Sequence, residues 1–168
     1  TDPGDAGNAS GADLILARRH FVAFLTPNTS VDDLFPEVER INYDQTINGR
    51  LQVNSGGGDD RFVIDDNSAI TTLDGGQGND SFQIGQVFGA NPNGEYDELG
   101  SFVPGSRSVA DDVQNIDLTS ASDDIDLLGI TRGWLSHGIT FSMVAFGGEG
   151  NDGFTVYSNK GLLRMEGE

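Results

Sequence analysis

The feature of this sequence that most constrains its fold is a glycine-rich pattern, Gly-Gly-x-Gly-x-Asp-x-apolar, which occurs three times. Residues 75–82 and 147–154 match it at every fixed position, and residues 55–62 match it with Ser55 in place of the first glycine. Glycine tolerates positive φ and lets two backbones approach closely, so each copy predicts a tight turn that ends at an aspartate. The apolar residue after the aspartate predicts a strand that leaves the turn.

The same turns have the chemistry of a calcium site. Calcium is a hard ion that takes about 6 to 8 oxygen ligands, and a glycine turn can direct several carbonyl oxygens inward beside one carboxylate. One turn offers too few oxygens, so two turns have to stack. Asp60 and Asp80 are 20 residues apart, which predicts that their turns stack one coil apart. Without a cation, these two carboxylates would repel each other.

We predict two calcium sites from these turns. Asp60 and Asp80 supply the carboxylates of the first and better site, and Asp152 belongs to the second. Glycine carbonyls complete both sites. An alternative is that these residues only form tight corners, with aspartate capping backbone amides. The predicted metal ligands are Gly56, Gly58, Asp60, Gly76, Gly78, Asp80, Gly148, Gly150 and Asp152.

Alternating apolar residues flank the turns. Phe62 and Ile64 follow the first turn, and Thr71 and Leu73 precede the second, so both segments predict short strands with one buried face. A shift of 92 residues superposes Phe62 on Phe154 and repeats the later positions of the coil. Met143 and Ala145 are the equivalent inward positions before the third turn.

These repeats resemble those of the RTX (repeats-in-toxin) calcium-binding proteins, and more loosely those of large, acidic, cysteine-free bacterial surface proteins. The resemblance implies an all-β fold, a parallel β-helix or β-roll solenoid, with Ca²⁺ as the bound ion and an extracellular or cell-surface location. The sequence departs from the simplest RTX array, because its turns recur once per coil of about 20 residues instead of every nine.

We divide the chain into four parts. Residues 1–37 form a linker and capping strands, with Leu14–Ala17 and Phe21–Leu25 as two strands or, alternatively, one helix, and residues 32–35 as one helical turn. Residues 38–84 form the first coil stack, which begins with a strand over 38–43. Residues 85–138 are a loop-rich excursion from the solenoid. Residues 139–168 form the second coil stack.

The excursion contains two predicted strands, at 113–118 and 125–128. Residues 122–125 fit either a degenerate turn or an ordinary solvated loop. Trp134, the only tryptophan, would stack on a carbohydrate or, in the simpler interpretation, cover the solenoid where the excursion returns.

The last coil is incomplete, because the sequence reaches a fourth glycine turn only at Gly167. We expect a following segment, or another copy of the chain, to complete the third site. The sequence begins at Thr1-Asp2-Pro3, which indicates a processed product or a piece of a longer protein.

The chain is strongly acidic, with 27 Asp and Glu against 9 Lys and Arg and a formal charge of -18. Such a charge disfavours nucleic acid and anionic membranes as partners. It suits either carboxylates that are neutralised by bound cations or a salt-adapted surface. The absence of cysteine excludes disulfides and thiol chemistry.

The expected function is that of a calcium-binding structural module of a large extracellular bacterial protein of the adhesin, fibre or surface-layer type. The alternative is a β-helix enzyme or carbohydrate-binding module that acts on polysaccharide, with Asp123, Asp124 and Asp126 as paired carboxylates. We do not expect an enzyme, because His20 and His137 lie in unlike contexts and no hydrolase motif is present. Phe88, Tyr96, Phe102 and Trp134 do not make an obvious aromatic row.

Overall fold

A computed structural model describes residues 11–26, 37–96, 98–99, 102–103 and 125–167. Within these residues the chain forms short β-strands joined by turns. The strands are β1 (Leu14–Ala17), β2 (Phe21–Thr26), β3 (Glu37–Asn42), β4 (Arg50–Asn54), β5 (Arg61–Ile64), β6 (Ile70–Asp74), β7 (Ser81–Ile84), β8 (Val87–Phe88), β9 (Glu95–Tyr96), β10 (Phe102–Val103), β11 (Leu127–Ile130), β12 (Gly133–Ser136), β13 (Met143–Phe146), β14 (Gly153–Val156) and β15 (Leu163–Glu166).

The strands are arranged in one mixed sheet, one parallel sheet and small antiparallel sheets. The mixed sheet has the order β14-β7-β5-β1-β2-β3, and the parallel sheet has the order β15-β13-β6-β4. The antiparallel sheets are β11-β12-β8 and the pair β10-β9.

Three levels connect the mixed sheet to the parallel sheet. We define a level as one strand of the parallel sheet, one glycine turn and one strand of the mixed sheet. The first level is β4, turn 55–60 and β5; the second is β6, turn 75–80 and β7; the third is β13, turn 147–152 and β14. The strands of the third level pair in parallel with those of the second. Residues 139–156 therefore extend the stack that residues 50–84 begin.

The main core lies between the two larger sheets. The ring of Phe82 stacks on Phe62 with centroids 4.5 Å apart and on Phe154 with centroids 4.9 Å apart. Leu73, Met143 and Ala145 face these rings from the parallel sheet and are at most 1 % exposed. The predicted inward positions are thus confirmed, because the period of two residues in each strand directs alternate side chains to the same side.

The prediction of a parallel β-helix or β-roll solenoid is wrong. Strands β1, β2 and β3 form an antiparallel meander that continues the mixed sheet, and β8, β11 and β12 form an antiparallel sheet of their own, so the chain does not close into a solenoid. The physical reason is the length of the connections. Only residues 18–20 separate β1 from β2. Such a link can only reverse the chain, since a parallel crossover needs a dozen or more residues.

The N-terminal segments agree with the prediction in type and differ in arrangement. Leu14–Ala17 and Phe21–Thr26 are two strands, so the helical alternative does not hold. The predicted coil strand over 38–43 is present as β3. It pairs with β2 in antiparallel fashion, with Val22 opposite Ile41, and is not the start of a coil.

The described part of the excursion packs beside the levels as an antiparallel sheet. The predicted strand at 125–128 is observed at Leu127–Ile130, and Trp134 in β12 is half-buried opposite Phe88 in β8. The predicted strand at 113–118, the turn or loop at 122–125 except its last residue, the linker over 1–10 and the helical turn at 32–35 lie outside the described residues.

A buried polar cluster fastens the excursion and the N-terminal hairpin to the levels. Asp65 is fully buried and forms an ion pair with the buried Arg18, Nη1 to Oδ2 2.8 Å. Its carboxylate also accepts hydrogen bonds from Ser136 Oγ (2.6 Å) and Gln86 Nε2 (2.7 Å). A carboxylate this deep in the protein requires such a set of donors, because an unpaired buried charge is costly.

Asn67 fixes the position at which the chain re-enters the stack. Its Oδ1 accepts hydrogen bonds from the N–H groups of Thr140 (3.0 Å) and Phe141 (2.9 Å), and its Nδ2 donates to the carbonyls of Ala69 and Phe141. The third level is thereby held on the second at the end of the strands opposite to the glycine turn. No helix among the described residues is long and apolar enough to cross a membrane.

Candidate functional site

The three glycine turns stack directly on one another. Gly57 bridges to Gln77 and Gln77 bridges to Glu149, both in parallel register. The N–H of Gln77 donates to the carbonyl of Gly56 (3.2 Å), and the N–H of Glu149 donates to that of Gly76 (2.7 Å). Two of the carbonyls predicted to bind calcium therefore already accept one hydrogen bond each.

The glycines are required because the turns touch through their backbones. A Cβ on Gly78 would lie 1.8 Å from the carbonyl oxygen of Gly58, and a Cβ on Gly150 would lie 1.8 Å from that of Gly78. Gly76 and Gly148 also adopt positive φ, +88° and +93°, which disfavours any side chain. This contact explains the fixed glycines and places the predicted carbonyls at the interface between successive turns.

The aspartates that end the turns form a ladder. The N–H of Asp60 donates to Oδ1 of Asp80 (2.8 Å), and the N–H of Asp80 donates to Oδ1 of Asp152 (3.0 Å). In the same register, the N–H of Ser81 donates to the carbonyl of Asp60 and that of Gly153 to the carbonyl of Asp80, both at 2.8 Å. The structure thus brings together the three aspartates that the sequence identified.

A fourth member of the ladder was missed by the sequence analysis. The N–H of Asp13 donates to Oδ1 of Asp60 (2.8 Å), and its carbonyl accepts from the N–H of Arg61 (2.8 Å). A Cβ on Gly58 would lie 1.9 Å from the carbonyl of Gly11, as in the higher turns. The signal was present in the sequence, because Gly11-x-Asp13-x-Ile15 repeats the second half of the motif immediately before β1.

Asp60, Asp80 and Asp152 each have one carboxylate oxygen that accepts an N–H and one that lacks a hydrogen-bond partner among the described residues. The Oδ2 atoms of Asp60, Asp80 and Asp152 are buried and unpaired in the part of the chain that the structure describes. Asp60 and Asp80 are each 1 % exposed. Unpaired buried carboxylate oxygens are unfavourable unless a cation or a proton accompanies them.

The oxygens converge beside the first glycine of each complete motif. A Cβ on Gly75 would lie 2.2 Å from Asp80 Oδ2 and 2.6 Å from the carbonyl oxygen of Gly147. A Cβ on Gly147 would likewise lie 2.1 Å from Asp152 Oδ2. The carbonyl of the motif's first residue was not among the predicted ligands. It lies close to the unpaired carboxylate oxygen of the level below.

Burial and mutual repulsion set the electrostatics of the ladder. The pKa of Asp80 is raised from 3.8 to about 6, chiefly because burial disfavours the charged form, and also because Asp60 and Asp152 are negatively charged. The hydrogen bond from the N–H of Asp60 opposes this effect. The centre of the ladder therefore accepts positive charge, whether from protons or from a metal ion.

The other acidic and histidine side chains considered from the sequence are less suited to catalysis or metal binding. Asp126 is half exposed and pairs with Arg19 (2.9 Å), while Asp123 and Asp124 lie outside the described residues. His20 lines a polar pocket of about 280 Å³ beside Arg19, and His137 instead contacts Lys160. No group of three or more His, Asp or Glu side chains that could hold a metal ion occurs within the described ranges.

Comparisons with known protein families, curated proteins and solved structures find no match to this chain.

Proposed function

We propose that this protein is a calcium-binding structural module, in which Ca²⁺ ions bind along the ladder of aspartates at the glycine turns. The observation that supports it most is the row of buried Oδ2 atoms on Asp60, Asp80 and Asp152, which have no hydrogen-bond partner among the described residues. These carboxylates lie in register and repel each other, and one oxygen of each has no donor among the described residues. A bound cation would remove both unfavourable effects. Carboxylate and carbonyl oxygens are the ligands that calcium prefers.

The best site is the interval between the second and third turns. Asp80 Oδ2 and the carbonyl of Gly147 converge there, and Asp152 contributes its carboxylate from the third level. The first interval is less suitable, because Ser55 Oγ already donates to the carbonyl of Gly75 (2.7 Å), the counterpart of Gly147. This ranking differs from the sequence expectation, which placed the best site between Asp60 and Asp80.

The small number of side-chain ligands agrees with such a site. The ladder gives each interval two aspartates among the described residues, so a group of three acidic side chains is not needed and main-chain carbonyls supply the remaining oxygens. The carbonyls of Gly58 and Gly78 point at the next turn, and those of Gly56 and Gly76 retain a second lone pair beside their ladder hydrogen bond. We therefore assign these carbonyls and those of Gly148 and Gly150 as additional ligands.

Calcium would stabilise the folded chain by binding it and not the unfolded chain. A formal charge of -18 destabilises the compact state through self-repulsion, and bound divalent cations reduce that repulsion. Together with the resemblance of the turns to RTX repeats, these properties favour a structural role in an extracellular bacterial surface or secreted protein, where calcium is abundant.

The experiment that tests this function is a calcium titration of the chelator-stripped protein by isothermal titration calorimetry, with thermal unfolding measured in parallel. The variant is Asp80→Asn, which removes the charge but keeps an oxygen for the N–H of Asp60. The matched control is Asp74→Asn, which removes the same charge from the strand before the turn, where Asp74 Oδ2 accepts from Asn54 at 3.3 Å.

We expect calcium to raise the melting temperature by more than about 3 °C, the shift that about 1 kcal/mol produces in a domain of this size. We expect Asp80→Asn to remove most of this increase and Asp74→Asn to retain it. If the stripped protein takes up no calcium, or if both variants respond like the wild type, the glycine turns are only corners and the proposed function is wrong.

A further inference from the structure

At four positions in the sequence an asparagine or aspartate directly precedes a glycine. These pairs are Asn48–Gly49, Asp74–Gly75, Asn93–Gly94 and Asp152–Gly153. At such a pair the glycine nitrogen can attack the side-chain carbonyl carbon of the preceding residue and close a five-membered succinimide ring, because glycine has no Cβ to hinder the approach. The contacts of each pair in the folded protein decide whether that ring can close.

Three of the four glycine nitrogens are held in hydrogen bonds. The N–H groups of Gly75 and Gly153 donate to carbonyls of neighbouring levels, at 3.0 and 2.8 Å. The N–H of Gly94 donates to the carbonyl of Asn91 at 3.2 Å. A nitrogen in such a bond is fixed in direction and keeps its proton, so these three glycines are poor nucleophiles in the folded protein.

The side-chain amide of Asn93 is held as well. Its Oδ1 accepts the N–H of Ile125, and its Nδ2 donates to the carbonyl of the same residue, both at 2.8 Å. This contact fixes the carbon atom that the nitrogen of Gly94 would have to reach, and both residues of the pair are half-buried. Ring closure at Asn93 therefore requires local opening of the structure first.

The pair of Asn48 and Gly49 has none of these restraints. Both residues are exposed and lie in the link between β3 and β4. Among the described residues, neither the side chain of Asn48 nor the N–H of Gly49 makes a hydrogen bond. A Cβ on Gly49 would meet nothing within 4 Å, so the space around this residue is open. The ring has room to close here while the protein stays folded.

We propose that Asn48 is a modification site, at which the folded protein converts asparagine to aspartate and isoaspartate with water as the co-reactant. The nitrogen of Gly49 loses its proton and forms a bond to Cγ of Asn48. The bond between Cγ and Nδ2 breaks, and the nitrogen leaves as ammonia with that proton. Water then opens the succinimide at either of its two carbonyl carbons. No electrons are transferred, since asparagine and water give the acid and ammonia.

The modification changes the surface of the protein and leaves its core intact. Each product adds a carboxylate to a chain whose formal charge is already -18, and isoaspartate also adds one methylene group to the main chain. Exposed links between strands tolerate such changes. The link lies at the opposite end of β4 from turn 55–60, so the inference goes beyond the proposed function and does not depend on calcium.

The test incubates the protein in mildly alkaline buffer, once folded and once unfolded in urea, and follows both asparagines by peptide mass spectrometry. Trypsin releases residues 41–50 as one peptide and residues 62–107 as another, so Asn48 and Asn93 are measured separately. Chromatography separates the aspartate and isoaspartate forms, and a sample digested at time zero gives the baseline. The control variant is Asn48→Gln, which keeps the amide but would have to close a six-membered ring.

In the folded protein we expect Asn48 to convert at least about tenfold faster than Asn93, because Asn93 reacts only after local opening. In urea the two should convert at similar rates, since unfolding removes the contacts with Ile125 and Asn91. Asn48→Gln should remove the modification from peptide 41–50. The inference is overturned if Asn48 in the folded protein converts no faster than Asn93, or if aspartate forms without isoaspartate, which would exclude the succinimide.

Discussion

The backbone N–H of Asp80 donates to Oδ1 of Asp152 at 3.0 Å, although the two residues are 72 positions apart in the chain. The equivalent bond from Asp60 to Asp80 spans 20 positions. The geometry is the same in both, so the third level is placed by the contacts of the turn and strands and not by a regular repeat length. Changes at Asp80 therefore affect levels above and below it.

The pKa of Asp80 predicts an unusual pH dependence for the calcium-free protein. The folded protein holds a proton on Asp80 up to about pH 6, whereas the unfolded chain releases it near the ordinary value of 3.8. The folded state therefore loses relative stability as pH rises from about 4 to about 6, and the loss is complete above that range. Thermal unfolding of stripped protein between these values measures it.

Asp80→Asn is the control for this pH dependence, because other carboxylates also titrate. The difference in melting temperature between wild type and variant should grow in favour of the variant as pH rises from about 4 to about 6, and stay constant above that range. A difference that is independent of pH would show that Asp80 ionises as in the unfolded chain.

Calcium binding should show the complementary dependence. Protons and calcium compete for Asp80, so calcium affinity falls as pH decreases through about 6, by roughly tenfold per unit below the pKa for one displaced proton. Calorimetry at pH 7.5 and 5.5, in buffers of different ionisation enthalpy, measures both the affinity and the protons released. Equal affinity at both values contradicts the assignment of Asp80 as a ligand.

Gly75→Ala tests the packing beside the unpaired oxygens. The added methyl group would meet Asp80 Oδ2 at 2.2 Å and the carbonyl of Gly147 at 2.6 Å. We expect a loss of about 1–3 kcal/mol in the free energy of unfolding and a loss of calcium binding, because the backbone of the third turn has to shift. The control is Gly89→Ala, where a Cβ meets nothing within 4 Å. Urea denaturation that gives the same midpoint for both variants would contradict this.

The buried ion pair between Arg18 and Asp65 is expected to be strongly coupled. Removal of Arg18 leaves Asp65 charged and buried, which costs about 3–5 kcal/mol. A double-mutant cycle with Arg18→Met and Asp65→Leu should give a double variant more stable than the sum of the single effects predicts. The exposed pair of Arg19 and Asp126, whose side chains are 51 % and 50 % exposed, should contribute less than about 1 kcal/mol in the same assay. Additive losses at Arg18 and Asp65 would contradict the coupling.

Asn67 and Asn159 occupy equivalent positions with different surroundings. Asn67 Oδ1 accepts two N–H groups from the re-entering chain, whereas Asn159 is exposed and donates to the carbonyl of Gly161. Asn67→Ala removes the hydrogen bonds to these two N–H groups and should cost about 1–3 kcal/mol, at roughly 0.5–1.5 kcal/mol per hydrogen bond. Asn159→Ala should cost less than about 1 kcal/mol. Similar unfolding midpoints in guanidinium chloride would show that the re-entry point is held by other contacts.

Much of the site was predictable from local sequence. The glycines and aspartates of the motif fix the shape of each turn within six residues. The spacing of 20 residues between Asp60 and Asp80 then predicted that the two side chains lie close together, one coil apart. The inward positions of Phe62, Leu73 and Met143 followed from the period of two in each strand. These inferences needed only information from neighbouring residues.

The topology was not predictable in the same way. Leu14–Ala17 and Phe21–Thr26 were recognised as strands, but their antiparallel pairing depends on the reversal at residues 18–20, which the solenoid pattern of later residues obscured. The role of Asp13 was missed because only half of the motif precedes β1. The buried Asp65 was not identified from the sequence, since its partners Arg18 and Ser136 lie far away in the chain.

The distance along the chain between the second and third levels has a consequence for chain entropy. For a flexible connection, closing a loop of 72 residues instead of 20 costs only about 1 kcal/mol more, because the entropy of closure grows with the logarithm of loop length. The stack therefore tolerates large changes in chain length between β8 and β11, outside the residues that attach this segment to Asp65. Sequence between two levels can be gained, lost or exchanged while the ladder of aspartates keeps its register.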